Sequence, residues 1–156
     1  MTLQTLTLGL ALPYGTQPGP QLGLGQSLGE RFYLQEQLAV TMRPANHVAG
    51  LAELELGLNG PSFGRWNSQL GVGLGYELRA QVIGQSVHLG TGASTREFEL
   101  RHAVIPAVNG RLSWMPSDTL GGYGALGVGR RMPIGREGEL YALAELGLVV
   151  RLGGAK

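Results

Sequence analysis

Large apolar residues recur at every second position almost from one end of the chain to the other. Of the 27 leucines, 23 carry even numbers, the exceptions being Leu3, Leu51, Leu89 and Leu143. The charges run in the opposite phase, with eight of ten glutamates and eight of eleven arginines odd-numbered. Successive side chains of a strand point to opposite faces, so a period of two gives each face of a sheet its own set of residues. A helix, whose apolar positions recur at three and four, would scramble that phase within two turns. The pattern predicts an all-β chain.

Eight strands follow from it: Thr5–Leu12, Gln21–Leu28, Arg31–Met42, His47–Leu58, Gln69–Val82, Phe98–Trp114, Leu120–Arg130 and Glu139–Leu152. The intervening stretches hold the glycines, prolines and asparagines expected of turns. They are Pro13–Pro20, Gly29–Glu30, Arg43–Asn46, Asn59–Asn67, Gly84–Arg96, Met115–Thr119 and Arg131–Gly138. Near the fifth of these, Ile83, Val87 and Leu89 leave the even register. A bulge, or a hairpin reaching beyond the main sheet, would produce that shift.

Volume decides which face lies inside. If the even face filled an eight-stranded barrel, on the order of thirty bulky side chains would compete for a narrow lumen. Reversed, both faces work. Leucine points outward into lipid, and the glycines of the odd face leave room for glutamate, arginine and tyrosine within. The chain is therefore expected to be an eight-stranded antiparallel up-and-down transmembrane β-barrel with a packed polar lumen. A soluble two-sheet sandwich with the even face as core is the alternative, and no repeat of solenoid length is visible.

Composition agrees. The 156 residues suit one barrel domain spanning 1–156, and charged residues make up 15%, below the roughly 25% of soluble domains. No apolar run reaches the ~18 residues of a spanning helix, and strand alternation hides a lipid-facing band from window averages. The absence of cysteine removes disulfides, thiol catalysis and thiolate metal sites. A net charge of +1 gives no electrostatic case for nucleic acid, and no cofactor is expected. Residues 2–12 alternate and lack a basic n-region, so no signal peptide is read there. The chain is then expected to be the mature form of an exported protein.

The last strand carries a further pattern. Glu145-Leu146-Gly147-Leu148-Val149-Val150-Arg151-Leu152 resembles the closing strand of bacterial outer-membrane barrels, polar–x–Gly–x–x–hydrophobic–x–hydrophobic. With the eight alternating segments it makes the chain resemble the small outer-membrane barrels of the OmpA, OmpX and OmpW kind. That family prefers an aromatic residue near the position of Leu152. Its girdle has thin counterparts here, the even-numbered aromatics inside strands being Phe32, Tyr76, Phe98 and Trp114. The resemblance implies residence in the bacterial outer membrane, surrounding outer-membrane lipid and a barrel-insertion machinery met during biogenesis. It also implies a non-enzymatic structural or envelope-integrity role, with membership of a homo- or hetero-oligomeric surface assembly as a further option.

Candidate chemistry lies on both faces. Inward, Glu53, Glu55, Glu77, Glu99 and Glu145 share a lumen with Arg79, Arg101, Arg111 and Arg151. Paired and hydrogen-bonded, they would pack the barrel and fix strand register; a gated path for small solutes is the competing use. Outward, Glu36, His102 and Arg130 interrupt the apolar face. Arg130 sits near a strand end, where its stem can reach the interface. Glu36 and His102 would face either a protein partner or water at the membrane rim. Ser86 and His88, with Glu97 or Glu99 downstream, loosely resemble the His–x–Ser pair and glutamate of lipid A deacylases. Their reversed order and the opposite phase of the glutamates weigh against a lipid-modifying enzyme. No metal site is expected.

Overall fold

The computed structural model describes residues 4–13, 17–43, 47–87, 94–135 and 137–152. Alternation becomes eight strands in chain order: β1 (Gln4–Pro13), β2 (Gly19–Leu28), β3 (Phe32–Arg43), β4 (His47–Phe63), β5 (Trp66–Val87), β6 (Ser94–Trp114), β7 (Leu120–Pro133) and β8 (Glu139–Leu152). Each pairs antiparallel with the next, and β1 pairs with β8 from Gln4↔Leu152 to Pro13↔Leu143, closing the sheet into a barrel. Starting at Ala142 on β8, the pairs run through Val128, Val108, Val72, Leu56, Leu34, Gln26 and Gln4 and return to β8 at Leu152. The stagger is ten residues over eight strands, which fixes a strongly tilted, narrow barrel filled by its own side chains.

The two faces separate by parity. Among the described residues every buried side chain is odd-numbered, and every exposed large hydrophobic one is even-numbered except Phe63 and Ile83. Both exceptions lie at irregularities, between Asn59 and Ser62 on β4 and between Val82 and Gly84 on β5. An extra residue on one strand flips the side chains beyond it to the other face.

Three expected connections are corrected. Asn59–Asn67 is not a loop: β4 and β5 continue through it to a two-residue turn, where Gly64 adopts φ +62°. Its polar residues satisfy one another across the two strands, through Gln69 Nε2 to Asn59 Oδ1 (3.0 Å), Ser62 Oγ to Asn67 Oδ1 (3.0 Å) and Ser68 Oγ to the Pro61 carbonyl (2.9 Å). Residues that commonly end strands are here the rungs of a hairpin. Gly84–Arg96 combines both anticipated devices, a register shift and a β5–β6 hairpin paired as far as Val87↔Ser94. β7 also runs three residues beyond Arg130, to Pro133. Both ends of the strand order, Gln4 and Leu152, lie at one mouth, called here the terminal mouth.

Extending β4 and β5 brings Phe63 and Trp66 onto the outer surface beside Phe32 and Trp114, and the two indole rings sit 6.3 Å apart. These four form an aromatic belt at the terminal mouth, as membrane–water interfaces favour.

Lumen volume is set by pairing large residues with glycine across strands. Tyr33 lies opposite Gly57, Tyr123 opposite Gly147 and Tyr141 opposite Gly129. Glu55 and Glu53 lie opposite Gly73 and Gly75, and Asn109 lies between Gly71 and Gly127. A Cβ on Gly57 would come within 2.6 Å of the Tyr33 ring and 2.5 Å of the Leu70 carbonyl oxygen, whereas one on the outward Gly110 meets nothing within 4 Å. Overpacking a filled interior costs about 1–3 kcal/mol, and an unhindered surface change stays within about 0.5 kcal/mol. Gly57→Val is therefore expected to lower the urea midpoint of the folded barrel in detergent clearly, and Gly110→Val to leave it nearly unchanged. Equal effects would contradict the assignment of faces.

Candidate functional site: a layered lumen

The inward side chains form layers whose order can be read along single strands. β8 presents Glu145, Leu143, Tyr141 and Glu139 in turn from the terminal mouth, and β4 presents Glu55, Glu53 and Leu51.

The layer nearer the terminal mouth is a carboxylate network. Asn109 Nδ2 donates to Glu53 Oε1 and to Glu55 Oε2, each at 2.6 Å. The Tyr33 hydroxyl donates to Glu55, which is 1% exposed. Arg111 Nη2 reaches Glu145 Oε2 at 3.5 Å while its guanidinium lies 5.2 Å from the centre of the Tyr123 ring. Gln37, turned so that both ends of its amide are satisfied, donates to Glu145 Oε1 (2.9 Å) and accepts from Gln35 (3.0 Å). The layer thus holds three carboxylates, of which Glu145 meets the Arg111 guanidinium while the neutral Asn109 amide and a phenol supply the donors to Glu53 and Glu55. Below this layer a cavity of about 320 Å³ opens at the terminal mouth, lined by hydroxyl and amide side chains with Arg111 at its inner end and Arg151 among its walls.

The middle layer is apolar. Ala11, Ala39, Leu51, Ile105, Tyr141 and Leu143 pack together across the lumen, all buried. Leu51 and Leu143 are two of the four odd-numbered leucines that break the parity of the outer face.

The far layer is a chain of ion pairs. Glu77 binds Arg79 (3.1 Å) and Arg131 (2.7 Å), and Arg131 also binds Glu139 (2.8 Å). Arg101, the cross-strand neighbour of Arg79, pairs with Glu99 (2.6 Å), and both side chains are more exposed than Glu77, Arg79 and Arg131.

The lumen residues read from sequence fall into separate groups. Glu53, Glu55, Arg111 and Glu145 share one layer, Glu77 and Arg79 another, Glu99 and Arg101 form their own pair, and Arg151 stands at the mouth. Sequence reading missed Arg131 because it ended the seventh strand at Arg130, three residues short of Pro133, although the odd number of Arg131 already matched the lumen phase. Asn109, Tyr33 and Gln37 were missed as site residues because a search for charges passes over the neutral groups that share them.

The outward anomalies also separate. His102 lies just past the last β6–β7 pair, Ala103↔Pro133, and its Nδ1 is hydrogen-bonded to the Tyr76 hydroxyl. Glu36 is exposed in the middle of β3. The Ser86 side chain and His88 lie outside the described residues. Among the described residues no group of three or more histidine, aspartate or glutamate side chains could hold a metal ion.

Comparison with solved structures places this architecture. The chain matches a major outer membrane protein from Thermus thermophilus with a TM-score of 0.72 at 10% identity, covering 97% of this chain and 100% of that one. The N-terminal β-barrel domain of Pseudomonas aeruginosa OprF matches with a TM-score of 0.65 at 10% identity over 97% of both chains. Neisserial surface protein A matches with a TM-score of 0.65 at 10% identity, over 97% of this chain and 96% of that one. The fold is that of the small outer-membrane barrels. No family model matches the chain, and no curated protein matches it by sequence.

Asn109 is the donor on which two buried carboxylates depend. Its replacement by leucine leaves both without that amide, a loss of about 3 kcal/mol on the scale of broken buried polar networks. Adding Glu53→Gln to Asn109→Leu should recover part of this, because the glutamine removes a charge and brings a donor of its own. A double-mutant cycle on urea unfolding in detergent checks the coupling, and strictly additive effects would contradict the shared hydrogen bond.

Proposed function

We propose that the chain is a non-enzymatic barrel of the bacterial outer membrane with a structural, envelope-supporting role, its lumen closed to solute flow. The observation that carries this reading is the apolar layer of Leu51, Ile105, Leu143, Tyr141, Ala11 and Ala39, sandwiched between the hydrogen-bonded carboxylate network and the chain of ion pairs. A hydrated ion crossing the lumen would have to shed its water against aliphatic side chains and break ion pairs on both sides, and neither step is compensated.

The outer surface supports the membrane half of the reading. Leucine and valine cover the even face of every strand, an aromatic belt marks the terminal mouth, and the closed sheet leaves no open edge to lipid. Outer-membrane lipid is then the main partner. The pattern of β8 is the segment that the barrel-insertion machinery would read. The whole of residues 1–156 acts as one barrel domain in this reading. The cavity at the terminal mouth ends at Arg111, so the narrow-pore alternative would require the apolar layer to part.

Purified protein added to phosphatidylcholine vesicles should float with them and resist added protease. In planar bilayers the same preparation should give no stable single-channel steps. Insertion with reproducible unitary steps would overturn the closed lumen, and failure to associate with lipid would overturn the membrane reading.

A further inference from the structure

The outward surface of β1, β2 and β3 carries a diagonal of three polar residues. Gln4 pairs with Gln26, Gln26 pairs with Leu34, and Glu36 follows two residues along β3 on the same face. All three polar side chains are exposed. Glu36 is not at a rim. Phe32 and Leu34 lie on one side of it along β3, Leu38, Val40 and Met42 on the other, and its cross-strand partners are Leu24 and Leu54. In a barrel whose even face meets lipid, this is a carboxyl group in the midst of the apolar band, where hydrocarbon offers no donor and a charged side chain is costly. Among the described residues no side chain of its own chain donates to it.

The surface around Glu36 is shaped as well as polar. Glu36 and Leu24 form a ridge between two hollows. One, of about 390 Å³, has walls of Leu22, Leu38, Leu54 and Leu74 over the small side chain of Ala52. The other, of about 190 Å³, is bordered by Gln4, Gln26, Leu34 and Leu152. Ridge, hollows, amide donors and carboxyl acceptor all belong to one patch, the self-complementarity that a two-fold interface requires. Two copies inserted in the same orientation are related by an axis along the membrane normal, so like surfaces meet at like depth. Without a hydrophobic driving force in lipid, such contacts hold through close packing and hydrogen bonds.

We propose that this face docks a second copy of the chain. The Leu24–Glu36 ridge of each copy seats in the other's hollows, and each Glu36 takes a hydrogen bond from the partner's Gln26 amide. The observation that selects a second copy is complementarity: the acceptor that needs a donor and the Gln26 amide that supplies one lie on the same face, one strand and two residues apart. The inference rests on the lipid-facing assignment of the even face.

The cysteine-free sequence allows a direct test. Leu24→Cys on this face and Leu126→Cys on β7, 70% exposed, are each inserted into phosphatidylcholine vesicles, purified by flotation and oxidised. Leu24→Cys should form disulfide-linked dimers and Leu126→Cys should not. Adding Glu36→Leu to Leu24→Cys should slow dimer formation about tenfold, and Glu36→Gln, which keeps hydrogen-bonding capacity, should slow it less. Inserted protein that links equally through both cysteines, through Leu126→Cys alone or not at all overturns the proposal and leaves the membrane reading standing. Linking that is unchanged by Glu36→Leu overturns the role of Glu36. Failure of the protein to float with vesicles overturns both.

Discussion

The ladder between β1 and β8 is the constraint on which the rest depends. A sheet open at β1 and β8 would expose two rows of backbone donors and acceptors, which an apolar medium cannot satisfy. Pairing Gln4 through Pro13 with Leu152 through Leu143 removes both edges. Once the sheet is closed with its fixed stagger, every side chain must point either into the lumen or away from it. A strict period of two is then the only pattern that keeps each strand in phase with its neighbours. The two places where parity fails, at Phe63 and Ile83, are the places where the ladder itself slips.

Closure of so narrow a barrel makes interior volume scarce, and that scarcity explains the glycine. Tyr33, Tyr123 and Tyr141 each sit across from a glycine, and so do Glu53, Glu55 and Asn109. The glycines act by volume, leaving the space their partners fill. Space for a large polar side chain brings the need to satisfy it. Here ion pairs serve the far layer, while one arginine, one asparagine, a tyrosine and glutamine amides serve the carboxylates near the terminal mouth.

The fold class, strand number and orientation of the faces were legible because all three follow from phase, which local context does not disturb. Boundaries were less legible. Asn59, Gly60 and Pro61 are ordinary strand breakers, and only cross-strand partners such as Gln69 and Ser68 show that the hairpin runs on through them. Arg131 lay one residue beyond the predicted end of its strand, so its place in the ion-pair chain was hidden although its parity was right. The middle apolar layer had a signal that went unread. Leu51 and Leu143 were two of the four leucines out of phase, and both face the lumen. Glu36 and His102 looked alike in sequence because both break the even face. The end of the β6–β7 ladder separates them, leaving His102 near a barrel end with Tyr76 for a partner.

The contrast among glutamates carries the same logic to the outer surface. Inside, Glu53 and Glu55 meet Asn109 and Tyr33, and Glu77 meets two arginines, since the closed sheet directs complementary side chains at one another. Outside, a barrel's convex face turns neighbouring side chains apart, and Glu36 has leucines on either side. A carboxyl group that the fold satisfies on its concave face must, on the convex one, look beyond its own chain. The barrel that solves its interior by self-pairing therefore leaves Glu36, in the middle of the outer band, as a point where a second surface adds something the fold itself lacks.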